Sequence, residues 1–285
     1  MSPSDEDLEI ARDSSDELLR AAKLFEPWRT HKKVLVFGSA RTKKESPLYQ
    51  ITKEFGQVMT KSGWFTITGA GGGIMEAGSE GAGKDHTIGV NIKLPFEQHA
   101  NPYIDAQNKV VSVKHFFTRK VSMAREADAF VCLPGGFGTL DELYEVLTLI
   151  HTGKTSPAPV VLIDAPGGTF WTKWLDFLET EIIGGAYIGQ PDSALIKLCT
   201  SADSAAKEIF SFYSNYVDCS FSSGQVQINL LKEPTEAQVQ SLLNVTPQLS
   251  KDPLFTKQGS SITANFEGRN YVGLRLVINE INSWV

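Results

Sequence analysis

Short β-branched runs alternate with amphipathic stretches from residue 33 to residue 213, and this alternation leaves few folds open to the chain. Lys33–Gly38 (KVLVFG), Phe65–Thr68, Thr87–Leu94, Val110–Val113, Ala129–Leu133 and Pro159–Asp164 (PVVLID) have the length and composition of strands. Between them, Leu48–Ser62 reads as a helix closed by Gly63, and Gly73–Ala82 and 114–127 read as two more. Thr139–His151 sets Leu143, Val146, Leu147 and Ile150 on one face and is closed by Gly153; helices near 170–181 and 201–213 follow. Strands with little polar alternation, separated by helices, need cover on both faces. The expected fold class is α/β, a Rossmann-like doubly wound parallel sheet.

Outside this region the pattern changes. Residues 14–25 are expected to form a helix opened by a capping box of Ser14 and Glu17. Beyond residue 214, Val226–Leu231 reads as a strand, Thr235–Leu243 as a helix, and 262–280 as alternating strands. The expected organisation is an acidic helical segment (1–32), a main α/β domain (33–216) and a small α+β appendage (217–285). No stretch approaches the ~18 apolar residues of a membrane helix, and the N-terminus lacks the basic and apolar segments of a secretory signal. Cys132, Cys199 and Cys219 are too scattered for a disulfide framework or zinc cluster. A cytoplasmic protein is expected. Of the net charge of −6, residues 1–20 carry seven acidic and two basic side chains. The remainder is near neutral and has no basic run, which argues against nucleic acid as a partner.

Glycine-rich turns follow three of the strands: Gly38-Ser39-Ala40, Gly69-Ala70-Gly71-Gly72-Gly73, and Pro134-Gly135-Gly136-Phe137-Gly138-Thr139. In parallel α/β sheets ligands bind beyond the carboxyl ends of strands, and free amides at a helix start favour an anion. A turn that merely needs its glycines is the competing reading. No dinucleotide fingerprint is present, and Gly78–Lys84 (GSEGAGK) imitates a Walker A loop only in part, with Asp85 where the magnesium-holding hydroxyl should stand.

Pro134-Gly135-Gly136-Phe137-Gly138-Thr139-Leu140-Asp141-Glu142 resembles the Pro-Gly-Gly-x-Gly-Thr-x-x-Glu signature of the LOG (Lonely Guy) family. Arg119-Lys120 resembles the family's Arg-Lys pair, Gly69–Glu76 its first glycine-rich turn, and Gly38-Ser39 its element at the end of strand one. The resemblance runs from about residue 33 to 213. It implies a phosphoribohydrolase that releases a purine or cytokinin-type base from a nucleoside 5′-monophosphate, acting as a homodimer or larger assembly. It departs from the family at Phe116-Phe117-Thr118, where Met-His-x often precedes the Arg-Lys pair, and at 219–285, which the minimal enzymes lack.

The resemblance implies Arg119 and Glu142 as catalytic residues. Gly38, Ser39, Gly71, Gly72, Gly73, Glu76, Lys120, Pro134, Gly135, Gly136, Gly138 and Thr139 are the implied substrate and phosphate contacts. Each has a plainer reading. Thr139 and Glu142 fit a T-x-x-E capping box, Arg119 and Lys120 could be surface cations, and Glu76 could complement a helix dipole. The five histidines lack metal-ligand spacing, so no metal site is expected, and hydrolysis of a base–ribose bond needs no cofactor. The stripe Phe170, Trp171, Trp174, Phe177 and Leu178 reads as core or dimer packing rather than a stacking platform. Two rival readings stand beside the enzyme: a carrier of a phosphorylated cofactor such as the molybdenum cofactor, and a nucleotide-sensing regulator. The preferred base depends on loops such as 95–108, which the sequence does not place.

Overall fold

The computed structural model describes residues 3–95, 99–189, 194–245, 254–266 and 270–285. A seven-stranded sheet is built from β1 (Lys33–Phe37), β2 (Phe65–Thr68), β3 (Thr87–Ile92), β4 (Val110–Val113), β5 (Ala129–Cys132), β6 (Val160–Ile163) and β7 (Ile196–Cys199). Its order is β4-β3-β2-β1-β5-β6-β7, a parallel, Rossmann-like α/β sheet as the alternation predicts. Every residue of β1, β2, β3, β5 and β6 is buried, the mark of strands covered on both faces. The helices are α1 (Asp5–Phe25), α2 (Pro47–Lys61), α3 (Ile74–Ala82), α4 (Phe116–Glu126), α5 (Phe137–His151), α6 (Phe170–Phe177) and α7 (Ala202–Phe212). Gly56 and Gly81 let α2 and α3 pack closely: a Cβ on Gly81 would lie 2.0 Å from the Lys53 carbonyl oxygen. The Walker-like stretch therefore belongs to this helix packing and its C-terminal end.

Four-stranded antiparallel pairing follows, in the order β10-β11-β9-β8, from β8 (Tyr216–Ser222), β9 (Gln225–Leu230), β10 (Phe255–Gln258) and β11 (Ser261–Asn265). With α8 (Glu236–Val245) and α9 (Tyr271–Asn282) it forms a core around Val226, Ile228, Leu242, Ile262, Leu274 and Ile278. By contacts the chain divides into two compact units, 1–143 with 161–170 and 198–206, and 144–160 with 171–197 and 207–285.

Four elements differ from the sequence expectation. α1 starts at Asp5 and not at residue 14: Ser4 is its cap, in a box with Asp7, and the Ser14 hydroxyl bonds back to the Ile10 carbonyl from mid-helix. β7 is a short strand of mixed burial, too weakly patterned to be read. α5 opens two residues before Thr139, so Thr139 sits inside the helix. α9 replaces the strands expected toward residue 280, with residues 267–269 outside the described set. Its residues are rich in β-branched types, yet Tyr271, Leu274, Ile278 and Ile281 bury one helical face, and tertiary packing overrides the local preference. In the bulky stripe, Trp171, Trp174 and Leu178 are buried while Phe170 and Phe177 are exposed.

Candidate active site

The chain runs outward from β1 through β2 and β3 to β4 and then returns to pair β5 with β1. That reversal opens a crevice at the carboxyl ends of β1 and β5. Phe37 faces Cys132 in the ladder; the Leu133 amide donates to the Phe37 carbonyl at 2.9 Å and the Ser39 amide to the Pro134 carbonyl at 3.2 Å. Two of the three glycine-rich turns are thereby held side by side.

A cleft of about 640 Å³ opens over them. The β1 turn contributes Gly38, Ser39, Ala40 and Arg41, and the β5 turn contributes Gly135, Gly136, Phe137, Gly138 and Thr139. α4 adds Phe116, Arg119 and Lys120, and α5 adds Asp141 and Glu142. Nine of the expected residues thus share one cleft: Gly38, Ser39, Arg119, Lys120, Gly135, Gly136, Gly138, Thr139 and Glu142.

Gly71, Gly72, Gly73, Glu76 and Pro134 lie outside its lining and shape the turns instead. Gly73 has φ +63°, and a Cβ there would come within 2.3 Å of the Ser39 carbonyl oxygen, which accepts from the Ile74 amide at 3.0 Å. Gly71 accepts from the Asn101 side-chain amide at 3.1 Å. Glu76, in the first turn of α3, pairs with Lys44 at 2.9 Å.

Arg119 is almost fully buried. Its Nε donates to the Val90 carbonyl at 2.9 Å, and its Nη1 stands 3.7 Å from the Glu142 carboxylate. Burial pulls the Arg119 guanidinium below its ordinary value, and the Glu142 charge opposes the shift. Gly69 makes room for this side chain, since a Cβ there would fall 1.6 Å from Nη2. Lys120 pairs with Asp141 at 3.0 Å. Glu142 lies too far along α5 to close the helix start, because Leu140 already donates to the Gly136 carbonyl at 3.1 Å. The capping-box reading of Thr139 and Glu142 is therefore corrected.

Sequence reasoning missed several lining residues. Phe137 is the variable position of the glycine signature and is 95% exposed. Arg41 follows Ser39 by two positions in the same turn. Phe170 is brought to the cleft by Asp164, whose buried carboxylate accepts from the Ala165 amide at 2.9 Å and the Phe170 amide at 3.0 Å. No local signal at Phe170 marks that role.

Residues 72–209 match the family model described as "Possible lysine decarboxylase". The cytokinin riboside 5′-monophosphate phosphoribohydrolase LOG of Oryza sativa subsp. japonica is 36% identical over 154 residues, covering 52% of this chain and 60% of the rice protein's length. The cytokinin riboside 5′-monophosphate phosphoribohydrolase LOG7 of Arabidopsis thaliana is 30% identical over 157 residues, covering 54% of this chain and 70% of the relative. The chain belongs to the LOG family. The part matched by the LOG-family model contains Arg119, Lys120, the β5 turn and Glu142, whereas Gly38 and Ser39 precede it. Among solved structures, the molybdenum cofactor carrier protein of Chlamydomonas reinhardtii aligns at 18% identity with a TM-score of 0.43, covering 64% of this chain and 99% of the carrier.

Proposed function

We propose that the cleft binds a nucleoside 5′-monophosphate, with a purine or cytokinin-type base, and hydrolyses its base–ribose bond. The observation that carries this reading is the buried Arg119 beside Glu142, in one cleft with the glycines that open the fifteen-residue helix on which Glu142 sits. Backbone amides at Gly136–Thr139 and the positive end of α5 suit a phosphate, as do Ser39 and Lys120. Gly71, Gly72, Gly73, Glu76 and Pro134 would act by holding those turns. The Arg119 fork would hold ribose hydroxyls. The gap of 3.7 Å between Arg119 and Glu142 exceeds a direct hydrogen bond and suits an interposed hydroxyl or water.

In the reaction the bond from C1′ to the base nitrogen breaks, the bonding pair leaves with the base, and water adds its oxygen to C1′. Glu142 would stabilise the positive charge developing at C1′ and take a proton from the water, while the departing base gains one. The products are free base and ribose 5-phosphate. The relatives named as phosphoribohydrolases support this class. Decarboxylation through pyridoxal phosphate would need a free lysine amine, and Lys120 in the cleft is ion-paired with Asp141. The same reading has the enzyme acting as a cytoplasmic homodimer, without metal or cofactor.

The test is product analysis with AMP and a panel of nucleoside monophosphates, comparing the wild type with Glu142→Gln. Release of base and ribose 5-phosphate, reduced about 10²-fold or more in the variant, is expected. Tight binding with no release from any nucleotide would overturn hydrolysis in favour of a carrier.

A further inference from the structure

α4 carries Arg119 and Lys120, and its first turn has a cap that the helix itself does not supply. His115 occupies the cap position, and its side chain makes no capping hydrogen bond. The carboxylate of Glu17, ninety-eight positions before His115 and only 3% exposed, fills the place. Its Oε1 accepts from the Lys114 amide at 2.5 Å. Its Oε2 accepts from the Thr118 hydroxyl at 2.5 Å and lies 3.4 Å from the His115 amide and 3.3 Å from His115 Nδ1. A carboxylate at a helix N-terminus satisfies orphan amides and complements the dipole.

Glu17 is the buried end of a row. Glu9 and Asp13 lie eight and four positions before it on the same face of α1, and both hold the Lys114 ammonium, at 2.8 and 3.1 Å. Arg20, one turn further on, donates to the Ser112 carbonyl at 3.0 Å. α1 is thereby fastened along β4 and the start of α4. Thr118, gripped by Glu17, is the residue next to Arg119.

We infer that Glu17 is a positioning residue for Arg119: by capping α4 from α1 it fixes the first turn from which the Arg119 guanidinium reaches Val90 and Glu142. Glu17 is not among the residues that line the cleft. The inference rests on the hydrolase reading for its assay only.

The test is a double-mutant cycle between Glu17→Gln and Arg119→Lys, run on full-length protein at a temperature where circular dichroism shows every variant folded. Glutamine keeps one acceptor but turns a donor toward amides that also donate. Glu17→Gln is expected to lower kcat/KM for AMP about tenfold, as a small misplacement of a binding group does. In the Arg119→Lys background the same change is expected to cost less than about twofold. Glu9→Gln, at the exposed end of the row, is expected to leave kcat/KM unchanged. Unaltered kcat/KM in folded Glu17→Gln, or an equal loss in both backgrounds, would overturn the inference and leave Glu17 as a structural cap. Should Glu17→Gln not fold, Thr118→Val removes one contact of the cap and replaces it in the cycle, with an expected loss of about threefold that vanishes beside Arg119→Lys. Wild-type protein that binds AMP without releasing adenine sinks the hydrolase reading instead. The cycle is then read as AMP affinity by calorimetry, where coupling between positions 17 and 119 carries the same meaning.

Discussion

The glycines of the β5 turn fall into two kinds once each is asked what a methyl group would meet. At Gly135 a Cβ would lie 2.1 Å from the Thr139 hydroxyl oxygen, so the fold itself requires glycine. At Gly136 and Gly138 it would meet nothing within 4 Å, and neither has a left-handed backbone. At these two positions the fold itself makes no demand for glycine. Gly138 is the second residue of α5, where alanine is the better helix former. Gly138→Ala is expected to raise stability by up to about 1 kcal/mol in denaturant titrations. The same substitution should weaken AMP binding by tenfold or more in calorimetry, as does any side chain that crowds a phosphate off its amides. Unchanged affinity would show that the turn does not hold the ligand. The glycines, Arg119 and Glu142 were legible through the family signature. The 3.7 Å approach of the last two was not, because they lie 23 positions apart with a strand between them and only the fold brings them together. The start of α5 differs from the expected Thr139 for a local reason: a hydroxyl ahead of an apolar helical stripe looks like a cap, and Gly136 already takes that place.

At the scale of elements, α1 offers the pH dependence. Glu17 is desolvated, which pushes its carboxyl up, but the donors from Thr118, Lys114 and His115 outweigh burial and hold it below the ordinary 4.5. A carboxyl depressed in the folded state contributes stability above its unfolded value, and that contribution disappears as pH falls through the folded one. Thermal melts from pH 7 to pH 3 should therefore show the midpoint falling once pH drops below about 4.5, less steeply in Glu17→Gln than in the wild type. A variant with the wild-type slope would mean that other carboxylates carry the effect. The acid-rich start of the chain was visible as composition, and its helical nature was read in part. Its cap at Ser4 and the long-range use of Glu17 were not, since no periodicity within α1 can announce a partner on α4.

For the molecule as a whole, strand alternation told the class of the main sheet, and the weakly patterned β7 was lost for want of an apolar run. The C-terminal residues were harder. Their four strands are short and half exposed, and α9 hides its helical face among residues that favour strands. Ile278, fully buried in that core, provides a check. Ile278→Ala is expected to destabilise the protein by about 2–5 kcal/mol in urea titration, the cost of an unfilled core site. A loss below about 1 kcal/mol would mean that this core is not packed as described.

The pairing of β1 with β5 has a consequence in time. Lys33 and Asp128, which bridge the start of that pair through a backbone amide and a carboxylate, are ninety-five positions apart. Contacts of such separation form late, after the entropy of closing a long loop has been met. During synthesis, β1 to β4 can emerge and pair in order, but the crevice has no second wall until β5 arrives, and Arg119 has no carboxylate partner until Glu142 follows. A chain that ends before residue 129 would hold β1 without its β5 neighbour, and that strand's backbone groups would face solvent along an open sheet edge.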